Sequence, residues 1–205
     1  MKKRYFAFPI LAIALHFFLS NLLYFLVERL VLDVFHIPPQ QFMKYSYWGE
    51  ILIYAVLILV FFTLYNLLWR KDISEPRTAT NFKDVLDSLV VGFGICGISG
   101  LWIMLAEQLS SLQKSVEAMN AGAENIAGGN AFGTFMIAVI AAPVVEEILF
   151  RGIVLRSMRK FTPTWAAILI SSVLFGVYHL NIVQAAYATF MGIAAGIPVS
   201  YTHLR

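Results

Sequence analysis

Apolar residues run along this chain in long blocks rather than in an alternating or a 3.6-residue pattern. The first block extends from about Phe6 to Val27, behind the basic start "MKKRY". It is longer than the apolar part of a signal peptide and no small-x-small cleavage pattern follows, so it predicts a retained first membrane span. A second block, "ILIYAVLILVFFTLYNLLW" (51–69), stops at Arg70-Lys71. A third covers roughly 86–106, where Gly92, Gly94, Gly97 and Gly100 offer close helix approach. The fourth begins near Ala131, the fifth near Trp165, and the sixth covers about 182–197. The pattern predicts an all-α, polytopic transmembrane helix bundle of about six spans.

Two polar stretches punctuate these blocks. "RKDISEPRTATNFKD" (70–84) reads as a linker between N-terminal membrane helices (1–85) and a second unit (86–197). The segment 107–130 places Leu109, Leu112, Val116 and Met119 three to four residues apart, which fits either a short helix at the membrane interface or an ordinary covered loop.

Composition agrees with a lipid environment. Hydrophobic residues make up 60% of the chain and charged ones 13%, and the mean hydropathy is +0.75. A soluble domain carries about 45–50% apolar and about 25% charged residues, an excess that a core of this size cannot hide. Membrane lipid is therefore the first partner. The net charge of +3 is too slight to imply nucleic acid, and the single Cys96 supports neither a disulfide framework nor a cysteine metal site; its apolar run suggests a small core residue. With the N-terminus inside, Lys2, Lys3, Arg4, Arg70, Lys71, Arg77, Lys83, Arg156, Arg159 and Lys160 fall on the inner side, against Arg29, Lys44 and Lys114 outside. That bias predicts a cytoplasmic N-terminus, and with no organelle-targeting pattern it fits a bacterial inner membrane.

The candidate chemistry lies where charge interrupts the fourth block. Its periodicity continues through Arg151 to about Lys160, which predicts one helix of about 29 residues ending at "FTPTW". Glu147 and Arg151 are four apart and share a face, as an ion pair that is either structural or supportive of a site. Glu146 is turned about 100° away and has no evident cation on its face, an expensive arrangement in hydrocarbon that marks a pathway or active site. Pro143 removes one backbone hydrogen bond just before it. If the next turn is centred near 162.5, Glu146 and His179 lie equally far from it and reach the same depth in an antiparallel hairpin. Phe175 reads as packing.

At these residues the chain resembles a known family. "EEILFR" (146–151) fits an EExxxR motif, "FGVYH" (175–179) an FxxxH motif, and "FMGIAAG" (190–196) the glycine-spaced helix that follows. In this order they resemble the CPBP intramembrane proteases, which include type II CAAX prenyl endopeptidases and bacteriocin-processing relatives, over about 131–197. The resemblance implies a hydrolase in which Glu146 activates a water, His179 positions it or the oxyanion, and Glu147 and Arg151 support them, acting on a peptide or prenylated protein. It leaves the cofactor open between none and a divalent metal such as zinc. A non-catalytic scaffold or bacteriocin-immunity protein of the same fold, and a small proton-coupled transporter, remain as other classes. The family's later motif, a His followed four residues on by Asn or Asp, has no counterpart; His203 has no room for it. The apolar pattern turns polar at Pro198, so 198–205 reads as a non-native tail on a truncated, incomplete copy.

Overall fold

The computed structural model describes residues 7–69, 82–127 and 130–202, and over these it is helical, without strands. The basic segments at 1–6 and 70–81, and His203, lie outside the described residues. Helix α1 (Phe8–Arg29) starts on Pro9, whose missing N–H costs nothing in a first turn, and passes directly into the π turn Leu30–Val34. After a short extended link, α2 (Pro39–Trp69) returns across it. Helix α3 is Phe82–Gln108 and α4 is Gln113–Ala127, entered through the 3₁₀ turn Ser110–Leu112.

The fourth apolar block, α5, is helical without interruption over 131–158 but not uniformly α. Asn130 caps it, its side chain accepting from the backbone N–H groups of Phe132 and Gly133. The winding then alternates: α at Ala131–Thr134, π at Phe135–Ala141, α at Ala142–Glu146, π at Glu147–Leu155 and α at Arg156–Met158. Pro143 accounts for the first widening, since its ring presses on the carbonyl four residues back, that of Val139. The second widening frees carbonyls for other helices. Phe150 O accepts from Ser171 Oγ at 3.3 Å and Gly152 O from Trp69 Nε1 at 3.0 Å. Helix α6 (Thr164–Tyr178) and α7 (Ile182–Thr202) complete the chain.

Helix α5 sits in the middle. Its Val145, Leu149, Phe150, Ile153 and Val154 are fully buried, packed by Leu57 and Phe61 of α2, Ala12 of α1, Phe175 of α6 and Ala188 of α7. The outward faces of α1, α2 and α3 instead carry exposed Phe, Leu, Ile and Val, the arrangement lipid requires. This is an all-α membrane bundle.

The expected number of spans is corrected. By length and composition three helices cross: Phe8–Val34, Ser46–Trp69 and Leu89–Gln108. Two shorter apolar helices, Thr164–Tyr178 and Ile182–Ile197, bring the count to between three and five, not six. Fifteen residues of α6 rise only about 22 Å, against a hydrocarbon core of about 30 Å. Two local expectations also change. Cys96 is exposed, not a core residue, and a Cβ on Gly92, Gly94, Gly97 or Gly100 would meet nothing within 4 Å. Close approach occurs between α6 and α7, where a Cβ on Gly192 would lie 2.8 Å from Ser172 Cβ, and one on Gly176 would strike Ala185 O and Thr189 Oγ1.

Candidate functional site

The hairpin of α5 and α6 sets the register of the site. Arg156–Met158 ends α5, Thr162 Oγ1 donates back to Met158 O at 2.9 Å, and Pro163 in an extended conformation opens α6. Phe150 then stacks edge-on against Phe175, with ring centroids 4.9 Å apart. Each lies 12.5 residues from the centre at 162.5. Glu146 and His179 are both four residues further from the turn, one on each arm.

His179 ends α6. Its Nδ1 lies 2.9 Å from Phe175 O. A carbonyl can only accept, so Nδ1 carries the proton and the neutral ring presents Nε2 as an acceptor. The ring also meets Phe175 edge-on at 5.0 Å and Tyr178 at 5.5 Å. Phe175, expected only to pack, therefore fixes the imidazole from two directions. It touches Arg151 as well, whose guanidinium carbon sits 4.8 Å above the ring.

Arg151 is the buried member of its pair. Its side chain is 8% exposed, that of Glu147 53%, and Nη1 lies 3.4 Å from Glu147 Oε1. The contact is an ion pair without hydrogen-bond geometry, because Nη1 is buried and makes no hydrogen bond among the described residues. Glu146 is half-buried on a different face, within electrostatic reach of the Tyr54 and Tyr178 hydroxyls. It is the last residue of the α segment before the second π segment, a kind of widening often found at functional sites.

Immediately after His179 the chain reverses. Leu180 adopts a left-handed conformation, φ 53°, that costs a non-glycine residue about 1 kcal/mol. Asn181 then caps α7, its Oδ1 accepting from Val183 N at 3.0 Å and Gln184 N at 3.1 Å. Helix α4 closes over the turn: Ser115 Oγ donates to Asn181 Oδ1 and Asn181 Nδ2 to Ser115 O, both at 2.8 Å. Trp102 Nε1 of α3 donates to Val183 O at 3.0 Å. The apolar face of α4, with Val116 and Met119, and Leu112 of the 3₁₀ turn before it pack on Ala106 and Val183. The reversal thus has its polar groups met by protein, the condition for irregular backbone within a membrane.

Residues 128–204 match the family model described as Type II CAAX prenyl endopeptidase Rce1-like. The match covers less than half of the chain and is a likeness over that stretch. No curated protein and no solved structure matches the chain. The matching stretch contains Glu146, Glu147, Arg151 and His179 together. It does not include α1 and α2, although these supply Tyr54 and the buried His16, which sequence reading passed over. Their signal was present: each is a polar or ionisable group inside an apolar span.

Among the described residues no group of three or more His, Cys, Asp or Glu side chains converges on one point. The described residues alone do not furnish the three protein ligands of a zinc site.

Proposed function

We propose that this chain is an intramembrane endopeptidase that cleaves a peptide bond with a water held between Glu146 and His179. What supports the reading is the pairing of Phe150 with Phe175, since Glu146 and His179 each lie four residues beyond it on the two arms, together with the contact of His179 Nδ1 with Phe175 O. Glu146 takes a proton from the water as its oxygen bonds to the scissile carbonyl carbon, then returns that proton to the leaving amine. His179 Nε2 accepts the second water hydrogen and orients the oxygen lone pair. Glu147 and Arg151 support the widened helix below. A membrane-embedded peptide end, prenylated or not, is the substrate class that fits a site walled by Phe150, Phe175 and Tyr178. The inner membrane of a bacterium, with the N-terminus cytoplasmic, is the setting that the distribution of Lys and Arg favours.

The test is a pair of substitutions followed with peptide substrates in proteoliposomes. Glu146→Gln keeps volume and removes the base, so cleavage should fall by at least about 100-fold with normal amounts of folded protein. Arg151→Ala should instead cut the amount of protein severalfold, by removing a buried side chain from Phe175 and Glu147. Cleavage that survives Glu146→Gln refutes the assignment. Proton-coupled flux in the same liposomes, without cleavage, would replace it with a transporter.

A further inference from the structure

Helix α1 lies outside the segment that matches the CPBP family, yet it delivers a histidine to the far side of the site. His16 is 5% exposed. Its Nδ1 lies 3.0 Å and its Nε2 3.4 Å from Tyr178 Oη, and the two rings meet at 5.4 Å. Phe61 of α2 covers the imidazole at 5.6 Å and Phe17 meets its edge at 6.3 Å. Ser20 Oγ, which donates to His16 O at 2.8 Å, stands 3.5 Å from Nδ1. Tyr178 is therefore the near polar partner of an imidazole otherwise surrounded by aromatic rings.

Tyr178 is the residue before His179, and its ring is held on four sides. His16 and Phe17 pack on it from α1, Phe150 from α5 at 5.2 Å, and His179 from α6 at 5.5 Å. Its hydroxyl is within electrostatic reach of Glu146 and of Tyr54. A Leu or Phe at position 16 would fill the slot without the cost of burying an imidazole, so packing alone gives no reason for a histidine there. The hydrogen bond does: it fixes the direction of a hydroxyl that otherwise turns freely about its C–O bond.

We propose that His16 is a positioning residue of the peptidase site, acting through the Tyr178 hydroxyl to hold the wall between Glu146 and His179. The assignment rests on the peptidase reading above. It makes the N-terminal helices part of the working site rather than an appendage, with the α1 contact setting the geometry of the water between the two catalytic groups.

The experiment is kinetic, on the full-length protein in proteoliposomes with a peptide substrate. His16→Leu and Tyr178→Phe should each lower kcat about tenfold with KM unchanged, because the lost hydrogen bond orients the reacting groups and does not bind the substrate. The double variant should be no worse than either single one, since both remove the same bond. His16→Asn, which keeps a polar atom near the place of Nδ1, should stay within about threefold of the parent. Helical content and thermal melting in detergent are followed for each variant; should His16→Leu fail to fold, Tyr178→Phe, which deletes one oxygen atom, carries the test. A kcat within twofold of the parent in Tyr178→Phe, additive losses in the double variant, or equal losses in Asn and Leu would overturn the assignment. Glu146→Gln separates the two levels. If it is dead while Tyr178→Phe is fully active, only the role of His16 falls; if it is active, the peptidase reading falls.

Discussion

Gly192 is a position where one added carbon should force two helices apart. Its Cβ would lie 2.8 Å from Ser172 Cβ, 2.9 Å from Ser172 Cα and 3.0 Å from Ser172 Oγ. Carbon atoms rest at about 3.5–4.0 Å, so the closest pair falls short by at least about 0.7 Å. Rotating Ser172 relieves nothing, because Cα belongs to the backbone and Oγ already donates to Ile168 O at 2.7 Å. The helices must part. Overpacking of this kind costs about 1–3 kcal/mol, and the better helix propensity of alanine returns about 1 kcal/mol, leaving a net loss of about 0–2 kcal/mol. Gly94→Ala supplies the reference, since a Cβ there meets nothing within 4 Å and only the propensity gain remains. Reversible unfolding in mixed micelles or by steric trapping in bicelles measures both. Separation of α6 from α7 also moves His179, one turn beyond Gly176, so cleavage should fall more steeply than stability. Equal stability of the Gly192→Ala and Gly94→Ala proteins, within about 0.5 kcal/mol, would refute the close seam and the placement of His179 that depends on it.

Two further outcomes follow from the same geometry. Asn181→Ala removes the cap of α7 and both bonds to Ser115, so it should cost about 1–2 kcal/mol and quicken tryptic cleavage after Lys114 in α4; an unchanged cleavage rate would mean that α4 is not held by this clamp. A reporter fused after Lys71 should read cytoplasmic and one near Ala121 external, and a cytoplasmic signal at 121 would reverse the assignment of sides.

The existence of the helices was legible because long apolar blocks leave little choice, and the ends of α3 and α6 fall within a few residues of the pattern. The hairpin centre at 162.5 was legible too, and Phe150 meeting Phe175 is what that centre demands. Span number was not. A hydrophobic block announces lipid but not how far it reaches, and the reversal at Leu180 depends on Asn181 and Ser115 meeting each other across 66 residues of sequence. The winding of α5 was hidden for a related reason. Pro143 points to a disturbance, but whether the chain kinks or widens is settled by Ser171 and Trp69, which take up the freed carbonyls.

The same reasoning explains why the motif residues alone under-describe the site. EExxxR and FxxxH name side chains on α5 and α6, and a two-helix hairpin leaves one side of each open. In water that side would be hydrated; in a bilayer it must be filled by other helices or left to lipid, which offers no hydrogen bond. The filling comes from α1 and α2, through His16, Phe17, Tyr54 and Phe61, none of which belongs to a motif. Of these, His16 meets the Tyr178 hydroxyl directly, and Phe17 packs on the same ring. The motif side chains are specified locally on α5 and α6, while part of what surrounds them comes from α1 and α2, far earlier in the chain.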